Sequence, residues 1–139
     1  MTIRTRSIAH IRLTVTDIAR SRRFYEDVFG WPVLIELPVD ADADTREQLW
    51  FLFGGVIYHL GDALVGLRPV AADDDRFDAD RVGLDHLALA LDSHDDLVAA
   101  ASHLDSLGIA HGPIKDIGPS YILEFRDPDD IALELTAQK

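Results

Sequence analysis

The stretch that decides the fold is SIAHIRLTVTD, residues 7–17. Polar and apolar residues alternate along it, which predicts a β-strand because successive side chains in a strand point to opposite faces. Ile11, Leu13 and Val15 form one apolar face that suits a protein core. The opposite face is polar, and it carries His10, Arg12, Thr14 and Thr16. A core does not require this second face, so its histidine needs another explanation.

The strand begins a strand–helix unit that occurs twice. DIARSRRFYEDVFG, residues 17–30, predicts a helix that begins at the N-cap Asp17 and ends at Gly30. The same order returns as LDHLALALDS (84–93), a predicted strand, and SHDDLVAAASHLDSLG (93–108), a predicted helix. We therefore expect an internal duplication of strand followed by helix.

The duplication places two histidines at equivalent positions. HIRLTVTD aligns with HLALALDS, so that His10 lies over His86, and 86 − 10 gives an offset of 76 residues. On the second strand Leu87, Leu89 and Leu91 form the apolar face, which leaves His86 on the other one. A histidine that recurs at the same point of a duplicated unit is a stronger functional signal than either residue alone.

Further strands are predicted after each helix: PVLIEL (32–37), QLWFLF running on to VIYHL (48–60) and ALVGLRP (63–69) in the first half, and IAHGPI (109–114), SYILEF (120–125) and IALELT (131–136) in the second. The pattern predicts an α+β fold of two βαβββ modules within one domain. The modules span about residues 7–70 and 83–137, joined by an acidic linker at about 71–82. The acidic runs VDADAD (39–44) and ADDDRFDAD (72–80) are interpreted as solvated loops.

Composition narrows the function classes. The 25 acidic and 13 basic residues give a net charge of −12, which disfavours binding to nucleic acid or to anionic membranes. The chain has no cysteine, so disulfides and thiolate metal sites are excluded. No apolar run approaches the roughly 20 residues of a membrane span, and MTIRTRS at the start does not resemble a signal peptide. We expect a cytoplasmic protein.

The last predicted strand carries a carboxylate that fits the two histidines. In IALELT, Glu134 lies on the face opposite Ile131, Leu133 and Leu135. Burying a carboxylate without a partner is expensive. Two imidazoles and one carboxylate form a divalent-metal site that leaves coordination positions open. Each residue taken singly is more typical of a structural role, whereas the set placed alike by the duplication favours a metal site.

These residues identify a family resemblance. IAHIRLTVTDIARSRRFYEDVFGW, GLDHLALAL and EFRDPDDIALEL resemble the vicinal oxygen chelate superfamily, which includes glyoxalase I, extradiol dioxygenases, fosfomycin-resistance enzymes and bleomycin-resistance proteins. The resemblance covers almost the whole chain. It implies paired βαβββ modules whose sheets curl around a divalent metal, with ligands at His10, His86 and Glu134.

Two positions depart from the patterns of individual family members. Gly66 stands where glyoxalase I carries a glutamate ligand, and glycine cannot ligate. The remaining two histidines and one glutamate are the iron ligand set of the extradiol dioxygenases. Those enzymes place a tyrosine ten residues before the glutamate ligand, and Glu124 occupies that position here.

Three further residues are candidates for the site. Arg12 and Arg68 share strand faces with His10 and Gly66, so either they bind an anionic group of the substrate or they pair with local acids. Glu124 is either a general base in the cleft or a partner of Arg126 in a surface salt bridge. Glu134 has a second role as a base if it leaves the metal.

Our hypothesis is therefore a metal-dependent enzyme that acts on a small, oxygen-rich substrate. Iron(II) and a dioxygenase-type reaction are placed first, with zinc, nickel or manganese as alternative metals. A glyoxalase-like lyase or isomerase and a small-molecule binding protein without chemistry are the alternative functions. The resemblance also implies a homodimer, with each site built from one chain or from two.

Overall fold

The computed structural model describes residues 1–139 and contains two compact units, residues 1–74 (unit 1) and residues 75–139 (unit 2). Each unit has one four-stranded mixed sheet with a long helix against one face. None of the helices combines the length and the apolar character needed to cross a bilayer.

Unit 1 begins with the strand and helix that the sequence predicts. Its elements are β1 (His10–Thr14), α1 (Ile18–Phe29), β2 (Val33–Glu36), α2 (Ala43–Gln48), a 3-10 turn (Trp50–Leu52), β3 (Val56–Leu60) and β4 (Ala63–Arg68). The strand order is β1-β4-β3-β2, in which β1 and β4 are parallel and the other pairs are antiparallel.

Unit 2 repeats this connectivity. Its elements are β5 (Leu87–Leu91), α3 (His94–Ser106), β6 (Lys115–Asp116), β7 (Ser120–Arg126) and β8 (Ala132–Gln138). The order β5-β8-β7-β6, with β5 and β8 parallel, is the counterpart of the order in unit 1. The predicted α+β fold with two βαβββ modules is therefore confirmed.

The predicted helix boundaries are set by local hydrogen bonds. The Asp17 side chain accepts a hydrogen bond from the Arg20 amide at 3.0 Å, and Gly30 ends α1 with a left-handed φ of 62°. Ser93 caps α3 by accepting from the Asp96 amide. These caps satisfy backbone groups that helix termini leave without partners.

The predicted strand over residues 48–60 is wrong in its first half. Only Val56–Leu60 is a strand, and the preceding residues form α2 and the 3-10 turn. Asp42 starts α2 by accepting a hydrogen bond from the Thr45 amide at 2.8 Å. The acidic run 39–44 is thus partly helical rather than entirely a solvated loop.

The predicted strand over residues 109–114 is also wrong. Within it only His111 makes a β-bridge, to Phe125, and the regular strand is the two-residue β6 that follows. Pro113 has no backbone N–H to donate, so pairing with β7 resumes only beyond it.

Each sheet buries one face and leaves the other available. In unit 1 the buried residues include Leu13 on β1, Val15 directly after β1, and Val65 and Leu67 on β4. In unit 2 the corresponding residues are Leu123, Phe125, Leu133 and Leu135. Because side chains alternate along a strand, the polar residues between them must lie on the opposite face.

We predict that Gly55→Ala strongly destabilises the protein. A Cβ at this position would overlap the backbone carbonyl oxygen of Leu67 and lie 2.9 Å from that of Leu52, and backbone atoms cannot turn aside. The expected loss in urea unfolding is about 3 kcal/mol or more. Gly54→Ala is the control, because its Cβ meets no atom within 4 Å and only the φ of 80° opposes it, a cost of about 1–2 kcal/mol. Equal losses in the two variants would contradict this account of the turn.

Candidate functional site

The polar face of unit 2 brings two of the predicted metal ligands together. His86 directly precedes β5, and Glu134 lies on β8, where its Cα partner on β5 is Ala88. The Nε2 atom of His86 is 3.7 Å from Oε2 of Glu134. Small side chains on the neighbouring positions leave room around this pair: Ala88, Ala90 and Ala132.

Asp85 fixes the orientation of the His86 ring. Its Oδ1 atom lies 2.6 Å from His86 Nδ1, and because a carboxylate accepts, Nδ1 carries the hydrogen. This hydrogen bond is the main cause that raises the pKa of His86, and the charges of Glu134 and Glu124 add to the effect while burial opposes it. Nε2 is therefore the nitrogen that faces Glu134. In metal sites, a ligating histidine commonly donates its other ring N–H to a carboxylate in this way.

Glu134 is not the lone acid of its face. Glu124 is its direct partner across β7 and β8, and both carboxylates therefore point to the same side of the sheet. Like charges directly opposite each other on paired strands are destabilising. The Glu124 carboxylate is neutralised by Lys115, whose Nζ lies 2.6 Å from Oε2. No lysine or arginine forms an ion pair with Glu134, whose nearest basic group is His86.

Of the two alternatives predicted for Glu124, the salt bridge with Arg126 is wrong. Arg126 donates instead to the carbonyl oxygen of Asp130 at 2.9 Å, in the turn between β7 and β8. Lys115 takes its place because β6 is paired with β7, with Lys115 opposite Ile122. Lys115 was not predicted as a site residue, because the edge strand was predicted at residues 109–114.

These residues line a cleft of about 430 Å³ within unit 2, a size that suits a small molecule. Its lining includes Asp85, His86, His111, Glu124, Arg126 and Glu134. His111 follows the end of α3, and no periodicity in the sequence marks it as a site residue. Its Nδ1 hydrogen-bonds the Gly112 carbonyl and its Nε2 the Asp105 carboxylate. These bonds, the first above all, raise the pKa of His111.

The polar face of unit 1 holds the other predicted site residues. His10 is exposed on β1, and Arg12 is the Cα partner of Gly66 on the parallel strand β4. Arg68 is the partner of Thr14 one step further along, so both arginines lie on the face that carries His10. Neither Arg12 nor Arg68 forms an ion pair with a carboxylate of the chain, so their predicted alternative as partners of local acids is wrong.

Neither unit by itself contains three histidine, aspartate or glutamate side chains placed to hold one metal ion. His86 and Glu134 belong to unit 2, and His10 belongs to unit 1.

Comparison with known proteins gives a family and a fold. Residues 7–135 match the model of the Glyoxalase/Bleomycin resistance protein/Dioxygenase superfamily. The uncharacterized protein YaeR of Escherichia coli (strain K12) is 29% identical over 136 residues, which cover 96% of this chain and 97% of YaeR. Together with the strand order, this match confirms the resemblance that the sequence indicates.

Solved structures of other proteins share this fold. A glyoxylase/bleomycin resistance protein/dioxygenase domain from Frankia sp. EAN1pec is 28% identical, with a TM-score of 0.76 over 98% of this chain and 100% of that domain. The fosfomycin resistance protein FosX from Listeria monocytogenes, in complex with Mn(II) and sulfate, shares the fold at 14% identity, with a TM-score of 0.71 over 98% of this chain and 93% of FosX.

Proposed function

The chain belongs to the Glyoxalase/Bleomycin resistance protein/Dioxygenase superfamily, and we propose that within it this protein is a divalent-metal-dependent enzyme acting on a small, oxygen-rich substrate. We propose His10, His86 and Glu134 as the metal ligands. The observation that carries the proposal is the His86–Glu134 pair, which offers an imidazole nitrogen and a carboxylate oxygen 3.7 Å apart.

The donor atoms of unit 2 fit a divalent cation. Asp85 holds His86 so that Nε2 is the free nitrogen, and the facing carboxylates of Glu124 and Glu134 favour a positive charge beside them. His10 would supply the third ligand from unit 1 of the same chain or of a second copy. A metal held by these residues would supply Lewis-acid chemistry to an oxygen of the substrate.

Iron(II) is our first choice of metal. Two imidazoles and one carboxylate are the facial ligand set typical of iron oxygenases, and Gly66 has no side chain to add a fourth ligand. Zinc, nickel and manganese are the alternatives. Manganese has support from the fold relative FosX, which was crystallised with Mn(II).

The remaining residues of the two polar faces have distinct proposed roles. Arg12 and Arg68 bind the anionic part of the substrate, because neither has a carboxylate partner in the chain. Glu124 accepts a proton from substrate in the cleft, and its contact with Lys115 holds the carboxylate in place. Glu134 is the second candidate base, at times when it does not ligate the metal.

A dioxygenase-type reaction on a catechol-like or hydroxy-carbonyl compound is the reaction that we place first, because His10, His86 and Glu134 would supply the ligand set typical of iron oxygenases. A glyoxalase-like proton transfer is the second candidate. Glu124 favours it, since a carboxylate on the cleft face replaces the tyrosine of the extradiol dioxygenases. A binding protein without chemistry is the least favoured function, because all three ligand residues are present.

We predict that His10→Ala, His86→Ala and Glu134→Ala each abolish stoichiometric metal binding, because each removes one of three protein ligands. Asp85→Asn should weaken metal affinity about 10- to 100-fold by releasing the His86 ring. Metal content after dialysis, measured by elemental analysis, tests both statements. Glu124→Gln is the matched control and should retain metal. Full metal content in both histidine variants would reject the proposed ligand set.

The reaction is tested by a paired assay of iron-, zinc- and nickel-loaded protein. One arm measures oxygen uptake with a panel of catechols, and the other measures conversion of the glutathione–methylglyoxal adduct. We expect oxygen uptake with iron, and its loss after chelation. Turnover of the adduct with nickel or zinc, without oxygen uptake, would favour the glyoxalase-like reaction over the dioxygenase-type reaction. Stable metal binding with neither activity on these substrates would favour the binding protein.

We also expect a two-fold homodimer, since single-chain members of the resembling family commonly pair and the proposed ligands come from both units. Light scattering should give twice the chain mass of 15.4 kDa. A monomer mass at micromolar concentration would refute this expectation.

A further inference from the structure

The polar face of unit 1 carries two arginines that no carboxylate of the chain neutralises. We infer that Arg12 and Arg68 form an oxyanion subsite for a carboxylate, phosphonate or phosphate group. The inference deepens the proposed function by giving the substrate class, and it rests on that function only in assigning the bound group to the substrate.

Gly66 forms the floor of the subsite. It is the Cα partner of Arg12, and a Cβ built on it would lie 2.9 Å from Arg12 Cγ, 3.4 Å from Nε and 3.5 Å from Cδ. The aliphatic part of Arg12 therefore lies directly over the glycine. The polar face at Gly66 is thus covered by the side chain of Arg12.

Arg12 retains hydrogen-bonding capacity that the protein does not use. Its Nη2 donates to the Leu52 carbonyl oxygen over a long 3.4 Å, and its Nε is buried without any partner. A buried donor without an acceptor is costly, and such groups in folded proteins usually have one. Nε is enclosed by the protein, whereas Nη1 has no partner and is not buried, so Nη1 is the donor that an oxyanion can reach.

Arg68 is held by an aromatic ring instead of an acid. Its Cζ lies 4.3 Å from the centroid of the Phe53 ring, which is cation–π geometry. Phe53 adopts a left-handed φ of 51°, which is unusual for a bulky residue. Strained positions of this kind are found at functional sites, where surrounding contacts impose them. The same short segment thus contacts both arginines, through the Leu52 carbonyl and the Phe53 ring.

The isolation of these cations is unusual in a chain with 25 acidic residues. Arg22 of the same unit shows the ordinary arrangement, with Glu26 at 2.8 Å and Glu36 at 2.6 Å. Arg12 on β1 pairs with Gly66 on β4, and Arg68 lies two residues further along β4. The two arginines are therefore offset by roughly 7 Å in the direction of the strands. Two neighbouring guanidinium groups without acids repel each other unless an anion lies between them.

The test uses the 139-residue protein stripped of metal with chelator, and inorganic phosphate as the probe. Phosphate binding is followed by 31P NMR titration at constant ionic strength in the wild type and in the variants Arg12→Gln, Arg68→Gln and Arg23→Gln. Arg23 is an exposed residue of α1, so its variant controls for the loss of one charge. We expect the dissociation constant to rise about tenfold or more for the Arg12 and Arg68 variants and less than about twofold for the control.

Gly66→Ala provides a variant that changes no charge. Its Cβ must displace the Arg12 side chain, so we expect phosphate binding to weaken about as much as in Arg12→Gln. Thermal unfolding of each variant identifies any that fails to fold. Arg12→Lys then serves as a milder change, which keeps the positive charge but replaces the planar guanidinium with an ammonium group.

Equal weakening in the Arg23 variant, or no specific phosphate binding by the wild type, would overturn the inference. Because the protein contains no metal in this experiment, its outcome is independent of whether His10, His86 and Glu134 bind one. Phosphate binding with no metal binding would leave the subsite intact and reject the proposed enzyme, whereas the reverse result would reject the subsite alone.

Discussion

The alternation of side chains along the strands is the constraint on which the candidate site depends. Each sheet packs one face against a helix, so Leu13 and Val15 in unit 1 and Leu133 and Leu135 in unit 2 are buried. The residues between them are therefore fixed on the opposite face. A shift of the strand by one residue would turn every side chain to the other face and expose the apolar ones. His10, Arg12 and Glu134 owe their placement to the burial of their neighbours.

The two polar faces differ in charge, and this difference gives each a separate proposed role. In unit 2 the carboxylates of Glu124 and Glu134 face each other, and only the first is neutralised by a lysine. In unit 1 Arg12 and Arg68 have no acidic partner. A face with excess negative charge attracts a metal cation, and a face with unpaired guanidinium groups attracts an anion.

The features that follow from periodicity were predicted correctly from the sequence. The predictions were wrong where an irregular segment stands in place of a predicted strand. The duplicated strands, their faces and the caps Asp17, Gly30 and Ser93 were predictable because each depends on a few adjacent residues. The 3-10 turn at Trp50–Leu52 was not, since an apolar run without alternation fits a buried strand equally well. The contacts of Arg12 with Leu52 and of Lys115 with Glu124 join residues of different elements, 40 and 9 positions apart, so the periodicity of a single element does not predict them.

We propose that His10, His86 and Glu134 share one metal ion. Anomalous diffraction at the iron edge, from crystals grown anaerobically with iron(II), tests it most directly. We expect one strong peak per chain, bonded to His86 Nε2, to a carboxylate oxygen of Glu134 and to a His10 ring nitrogen from the same or a second copy. A fully ordered structure with no peak at His86 and Glu134, or with a peak bound by other residues and His10 turned away, would contradict it.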